Sequence, residues 1–301
     1  MTGTVLILGA SGRFGTNAAE AFAASGWTVR RYARGSGSLE AAAMGADVIV
    51  NGWNPPYPDW AAQVPGLTAQ VIGAARASGA TVLIPGNVYV YGAGSPPMLG
   101  PDTPHAARNP LGRIRREMEA AYRDAGVPTI LLRAGDFLDT GASGNWFDQI
   151  MVKGLDKGVF TYPGRPDIDH AWAFLPDMAR AAVALCEMRG ELARFQEVLF
   201  PGYTLSGDEM RATLEKVTGR AVRLKRMSWL PLQIARPVWR MARGLVEMRY
   251  LWDMPHRLDG GGFGALLPGF RATPLDTALA QAVAHKVQPD ERVARQGTVA
   301  A

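Results

Sequence analysis

The chain has 301 residues, 48% of them hydrophobic and 20% charged, enough to bury a full core as one large domain or a domain with a small cap. Its 32 basic against 27 acidic side chains leave a net charge of +5; with no dense Lys/Arg tract, this suits an anionic ligand and does not argue for nucleic acid. A single cysteine, Cys186, excludes an intrachain disulfide and a cysteine-based metal cluster. No basic n-region, cleavage site or long apolar run is seen, so the expectation is a cytoplasmic protein without a transmembrane helix.

The first fifteen residues organise the rest. Thr4 to Leu8 is a short apolar strand, followed by Gly9-Ala10-Ser11-Gly12-Arg13-Phe14-Gly15 and an alanine-rich helix to about Ala24. Strand, glycine turn and helix in that order are the setting in which a glycine fingerprint binds a dinucleotide. Gly9 serves the tight turn, Gly12 admits a pyrophosphate to the backbone, and Gly15 lets the helix pack on the strand. The helix N-terminus offers free N–H groups to the phosphates. Gly9, Ser11, Gly12, Arg13, Phe14 and Gly15 are the first cofactor candidates.

Trp27 to Ala33 reads as the second strand. Its end, Tyr32-Ala33-Arg34, has no acid for an adenosine ribose, and a guanidinium there pairs with a 2′-phosphate. NADP is therefore favoured, with NAD open. A short helix near Ser38 to Met44 leads to a third strand, Ala46 to Val50, which ends in the candidate ligand contacts Asn51 and Asn54. Trp60 to Ser78 is predicted helical, Thr81 to Pro85 a strand, Leu111 to Ala125 a charged helix, and Thr129 to Arg133 a strand. This alternation predicts an α/β, Rossmann-like, doubly wound parallel sheet.

Beyond Gly141 the rhythm breaks. Asn145 to Val152 reads as helix, Lys157 to Tyr162 and Asp169 to Leu175 as strands, Pro176 to Met188 as helix, and Phe195 to Phe200 as strand. Ser206 and Glu209 form a capping box for a helix through Val217, and Ala221 to Met227 alternates like a strand. From Pro237 to Trp252 the apolar Val238, Met241, Leu245 and Met248 fall on one face and arginines on another. Such a helix suits a membrane surface, but a cap helix over the core is the preferred reading. Pro274 to Ala284 is a last helix. The expected division is a dinucleotide-binding core over 1–140, a region over 141–285 that completes the core and forms a smaller C-terminal substrate cap, and a disordered tail over 286–301.

Together these stretches resemble the short-chain dehydrogenase/reductase superfamily in its extended, NAD-dependent epimerase/dehydratase-like branch. The resemblance rests on Gly9-x-x-Gly12-x-x-Gly15, Val88-Tyr89-Val90-Tyr91-Gly92, Arg133-Ala134-Gly135-Asp136-Phe137, and Ala173-Phe174-Leu175-Pro176-Asp177-Met178-Ala179. It implies an NAD(P)-binding core, a substrate cap, and a Tyr-x-x-x-Lys catalytic pair. That pair is absent: Leu111 stands where the Tyr belongs, Arg115 where the Lys belongs, and Asn87 where a Ser or Thr belongs. Arg115 and Asn87 remain cofactor candidates, yet an arginine stays charged and shuttles no proton. The chain between the second and third strands is also short for this branch, which implies a smaller sheet.

Other residues must then move the proton. Tyr89 and Tyr91 share a face if the fourth strand continues through them, and Asp136 follows the fifth strand at the crevice edge. Asn54, Trp146, His170 and Tyr250 are the substrate-binding candidates. No metal-ligand spacing occurs. The expected activity is that of an NADP(H)-binding epimerase/dehydratase-like or oxidoreductase enzyme acting on a polar, sugar-derived small molecule. The alternative is a non-catalytic dinucleotide-binding regulator or redox-sensing module. The expected partner is the small molecule; a homodimer is permitted, and neither nucleic acid nor membrane is expected.

Overall fold

A computed structural model describes residues 2–286. Short, wholly apolar runs become the strands of a sheet covered on both faces, because a parallel sheet with helical crossovers has no solvated side. The first half runs β1 (Thr4–Leu8), α1 (Arg13–Ala24), β2 (Thr28–Tyr32), α2 (Leu39–Ala43), β3 (Val48–Asn51), α3 (Trp60–Ser78) and β4 (Thr81–Gly86). A two-residue β5 (Met98–Leu99), helix α4 (Pro110–Ala125) and β6 (Thr129–Arg133) follow. Next come β7 (Asp136–Leu138), β8 (Val159–Tyr162), β9 (His170–Phe174), α5 (Leu175–Glu187) and β10 (Phe195–Leu199).

The central sheet has the order β10-β6-β4-β3-β1-β2, all parallel. Chain order reverses between β1 and β3, which opens a crevice at their carboxyl ends. On one face α1 and α5 pack together, with Phe14, Ala18, Phe22, Met178 and Ala182 in one cluster. On the other, Val71, Ala75, Met118 and Tyr122 of α3 and α4 fill the second. The single short helix between β2 and β3 leaves six strands in the sheet. Chain beyond residue 141 completes the core, because β10 pairs with β6 and α5 lies against α1.

The remaining elements are β11 (Tyr203–Leu205), α6 (Gly207–Thr218), β12 (Arg223–Arg226), α7 (Leu230–Ala235), α8 (Arg240–Glu247), β13 (Arg257–Leu258), α9 (Gly261–Leu266) and α10 (Leu275–Val283). Leu205, Leu214 and Leu279 of β11, α6 and α10 join a third apolar cluster with Phe147, Trp172 and Trp252, while Leu258 of β13 and Phe263 of α9 pack into the first two. The Ser206–Glu209 capping box starts α6 as the sequence predicts.

Three expectations change. The fourth strand stops at Gly86, and Val88–Val90 forms a 3-10 turn whose start is capped by Asn87 Oδ1, which accepts from Tyr89 N at 3.1 Å. Residues 145–152 contain a π-helical turn, Phe147–Met151. The amphipathic stretch over 237–252 is not one helix: α8 runs into a 3-10 turn, Met248–Trp252, and Val238 faces solvent. The expected tail lies, from residue 287 on, outside the described residues.

Candidate functional site

Gly9 takes φ +70°, a conformation that side chains resist, and closes the turn through Gly12 N donating to Gly9 O at 2.9 Å. A Cβ on Gly15 would overlap the Gly9 carbonyl oxygen, so only glycine lets α1 sit this close to β1. Gly52, after β3, belongs to the same device. Its N–H donates to Leu8 O at 3.0 Å, and a Cβ on Gly9 would stand 2.9 Å from Gly52 O. The turn thus sits at the reversal point of the sheet. Gly12 begins α1 with no side-chain cap, leaving the first N–H groups of the helix available to an anion. These features fit the pyrophosphate of a dinucleotide.

Beside the turn an open cleft is lined by Gly9, Ala10, Ser11, Arg31, Tyr32, Ala33, Arg34 and Trp53. Tyr32 and Trp53 meet edge to face, 6.0 Å between centroids, and give the cleft an aromatic wall. Arg34 is exposed at the rim; Arg31 and Trp53 are liners that the sequence reading did not single out. Arg13 takes another course. Its guanidinium donates to Ser143 O at 3.1 Å and to Gly144 O, while Asn17 Nδ2 donates to Asp139 Oδ1 at 3.1 Å. This clasp pins the chain after β7 to the start of α1. The Phe14 ring is in the core, so only its backbone faces the turn. Asn51 is also committed: its Nδ2 donates to the Tyr122 hydroxyl at 3.0 Å and its Oδ1 accepts from Trp53 N at 3.3 Å.

The second half of the site lies past the ends of β4 and β6. Gly135 lets β9 cross closely, since a Cβ there would overlap the Ala171 carbonyl oxygen. With β7 and β9 parallel and Asp136 opposite Trp172, His170 Nε2 comes to 2.7 Å from Asp136 Oδ2. His170 stacks on Trp252 at 4.4 Å with 9° between planes and meets His256 edge to face at 4.4 Å. Burial, then the neighbouring His170, pushes His256 down to about 3. Its Nδ1 lies 3.0 Å from Met254 O, and its buried Nε2 has no hydrogen-bond partner among the described residues.

Tyr89 reaches the same region from the other side. Its hydroxyl is 2.5 Å from that of Tyr57, and its ring stacks on Trp60. Burial raises both phenols, and the Asp136 carboxylate adds to the rise in each. Both hydroxyls therefore keep their protons and act as neutral donors. Tyr57 is the member of this pair that sequence reasoning missed; it sits sixteen residues before helix-interior Gly73 in a Pro-rich loop with no pattern to mark it.

Tyr91 does not share a face with Tyr89. The 3-10 turn breaks the two-residue alternation, and Tyr91 is buried against His105 and the Arg133 guanidinium. Arg133 in turn is held by Glu119 (3.1 and 2.8 Å) and Glu197 (2.7 Å). This is a satisfied buried ion cluster between the sheet and α4. Arg115 is buried too. Its guanidinium lies 4.2 Å over Trp60 and donates to Asn54 Oδ1 at 2.7 Å. Leu111 is in the core, and its N–H donates to Glu247 Oε1 at 2.6 Å. Trp146 meets Trp229 and Trp252 in the third apolar cluster. The Tyr250 hydroxyl is buried with no hydrogen-bond partner among the described residues.

With this geometry the chain has clear relatives in shape. Its fold is that of nucleotide-sugar epimerase structures. MoeE5, solved with UDP-glucose and NAD, is similar over 98% of this chain and 100% of its own, with 16% identity and a TM-score of 0.73. A UDP-galactose 4-epimerase is similar over 97% and 99%, at 14% identity and a TM-score of 0.67. A nucleoside-diphosphate-sugar epimerase from Staphylococcus aureus is similar over 93% and 100%, at 16% identity and a TM-score of 0.65. No protein-family profile and no curated protein matches the sequence. Among the described residues, no helix is long and apolar enough to cross a membrane, and no group of His, Cys, Asp and Glu is placed to hold a metal ion.

Proposed function

We propose that the chain binds a nicotinamide dinucleotide, NADP(H) in preference to NAD(H), and acts as an epimerase/dehydratase-like or oxidoreductase enzyme on a polar, sugar-derived small molecule. The observation that carries this reading is the glycine turn at the sheet's reversal point, opening onto a cleft with Arg31 and Arg34 at its rim. Gly9, Ser11, Gly12 and Gly15 would hold the pyrophosphate, Arg34 the 2′-phosphate, and Asn87 and Arg115 the far end. When bound, the cofactor supplies a hydride acceptor or donor. That similar folds are solved with NAD and with UDP-glucose or UDP-glucuronic acid supports both the cofactor class and the substrate class.

Proton transfer falls to groups other than Tyr and Lys. Asp136, oriented by His170 Nε2, takes the proton from a substrate hydroxyl or returns it. The neutral Tyr57–Tyr89 pair donates a hydrogen bond to the same oxygen and holds it in place. A second reading, a dinucleotide-binding regulator without turnover, is favoured by one observation: Leu111 and Arg115, at the two catalytic positions of the resembling family, are both buried in packing contacts.

Titration with NADPH, NADP+, NADH and NAD+, followed by tryptophan quenching, tests the cofactor. Replacing Arg34 by Ala should weaken NADPH about tenfold or more, the loss of a charge-assisted contact, and leave NADH unchanged. Equal losses for both would remove the 2′-phosphate role. Failure of every dinucleotide to bind would overturn the reading. Once binding is established, turnover of sugar nucleotides separates the enzyme from the regulator.

A further inference from the structure

Leu230, Ile234, Val238 and Trp239 are exposed by 60%, 70%, 86% and 49%. They are four of the six large hydrophobics exposed among the described residues, and they fall within ten positions. Single exposed apolar side chains are ordinary; a contiguous set marks a contact surface. Leu230 and Ile234 lie one turn apart on α7, and Val238 and Trp239 form the turn into α8. The turn is fixed by Val238 N and Trp239 N donating to Ala235 O at 3.1 and 2.8 Å. Met248 and Ala242 face inward, and a Cβ on Gly244 would stand 2.7 Å from the Tyr57 ring. The hairpin is thus docked by one side, beside the candidate site, and presents the other outward.

Charge states what the outward side meets. From Arg223 to Arg249 the chain carries Arg223, Lys225, Arg226, Arg236, Arg240, Arg243 and Arg249. Its one acid, Glu247, is turned in on Leu111 N and Asn109 Nδ2. Arg236, Arg240 and Arg243 are exposed around the apolar set. A second copy of this surface would bring like charges together, and nucleic acid gains nothing from exposed Leu, Ile and Val. Arg240 pairs with Asp59 at 3.9 Å and Arg249 with Asp253 at 3.6 Å, yet bases still outnumber acids, and apolar side chains with a tryptophan in a net basic surround match the boundary between acyl chains and anionic headgroups.

We infer that the α7–α8 hairpin docks the protein peripherally on an anionic lipid bilayer. Leu230, Ile234, Val238 and Trp239 enter the interface and the arginines bind headgroup phosphates. The sequence reading set membrane contact aside in favour of a cap over the core; α8 does cover Tyr57, but the 230–239 face stays outside that packing. Flotation of the full chain with vesicles tests this, using phosphatidylcholine alone against equimolar phosphatidylglycerol and phosphatidylcholine. The protein should float with the anionic vesicles, not the neutral ones, and be released by high salt. Ile234→Asp with Val238→Asp should abolish flotation with an unchanged melting temperature, because both side chains are in solvent. Arg236→Gln and Arg240→Gln should each weaken it by about fivefold. No flotation of the wild type at low salt, or equal flotation of the Asp double variant, overturns the proposal. So does a dimer that dissociates in that variant, which would assign the face to self-association.

Discussion

Asp136 shows how little a residue's type says before its neighbours are known. On a strand end it resembles any turn-capping aspartate. Gly135, by letting the Ala171 carbonyl approach, turns it into the partner of His170 at 2.7 Å. Trp252 stacked on the imidazole limits the ring's rotation. In the proposed reaction the pair would do for a carboxylate what a triad aspartate does for histidine, with the roles exchanged: Asp136 would react and His170 would hold it. Asp136→Asn keeps the shape and removes the base. We expect it to bind the dinucleotide normally and to lose about 10²- to 10⁴-fold in turnover on an accepted substrate. Full turnover in that variant would assign the proton step elsewhere, with Tyr89 next in line.

The element that would set the proposed cofactor end is the β1–α1 unit, and its tolerance is uneven. Gly15→Ala places a methyl group against the Gly9 carbonyl and forces α1 off β1. A loss of about 1–3 kcal/mol is expected, as for overpacking, together with loss of dinucleotide binding. Gly66, an exposed position inside α3 with open space around its Cβ, should gain about 0.5–1 kcal/mol from the same change. Urea unfolding of the two variants reads both signs. Equal effects would mean that helix propensity, not the close approach, governs Gly15. The turn at Val88–Val90 teaches the complementary lesson. Val-Tyr-Val-Tyr has the composition of a strand, yet the Asn87 side chain caps a 3-10 turn there. That local hydrogen bond outweighs β propensity and sends Tyr89 and Tyr91 to different environments.

At the scale of the whole molecule the second half of the chain packs onto the first, with β10 on β6 and α5 on α1, and the packing buries ionisable groups. His256 is held near 3 against an ordinary value of 6.5. Below about 6.5 the unfolded chain takes up a proton that the folded chain refuses, so stability falls as pH drops toward about 3. Glu197 acts in the same direction at lower pH. Burial raises it, but His105 and Arg133 beside it prevail and bring it to about 2 from 4.5, so its contribution is lost as pH falls from about 4.5 to about 2. Stability should therefore be level between about pH 7 and about pH 8 and decline below about pH 6.5, at up to about 1.4 kcal/mol per pH unit for one proton. Urea midpoints between about pH 7 and about pH 5 follow this. His256→Phe, which removes the titrating ring from an enclosed site, should flatten the slope. An unchanged slope would place the titrating group elsewhere.

The sequence by itself determined the layered α/β sheet, the glycine turn and the arginine at the end of β2. These are written in short-range signals: apolar runs of strand length, glycines at the spacing a turn requires, and a capping box at Ser206. Backbone sterics and local hydrogen bonds suffice to read them. What only the tertiary structure decided is which distant side chains meet. Tyr57 and Tyr89, Asp136 and His170, His170 and His256, and Leu111 and Glu247 each come from different elements. Their meeting depends on glycines that admit a neighbouring backbone and on the order of the strands. The same reason exposes Val238: its helical periodicity places it with Met241 and Leu245, but the turn after α7 rotates it outward. Periodicity gives a residue a face; packing decides whether anything covers it.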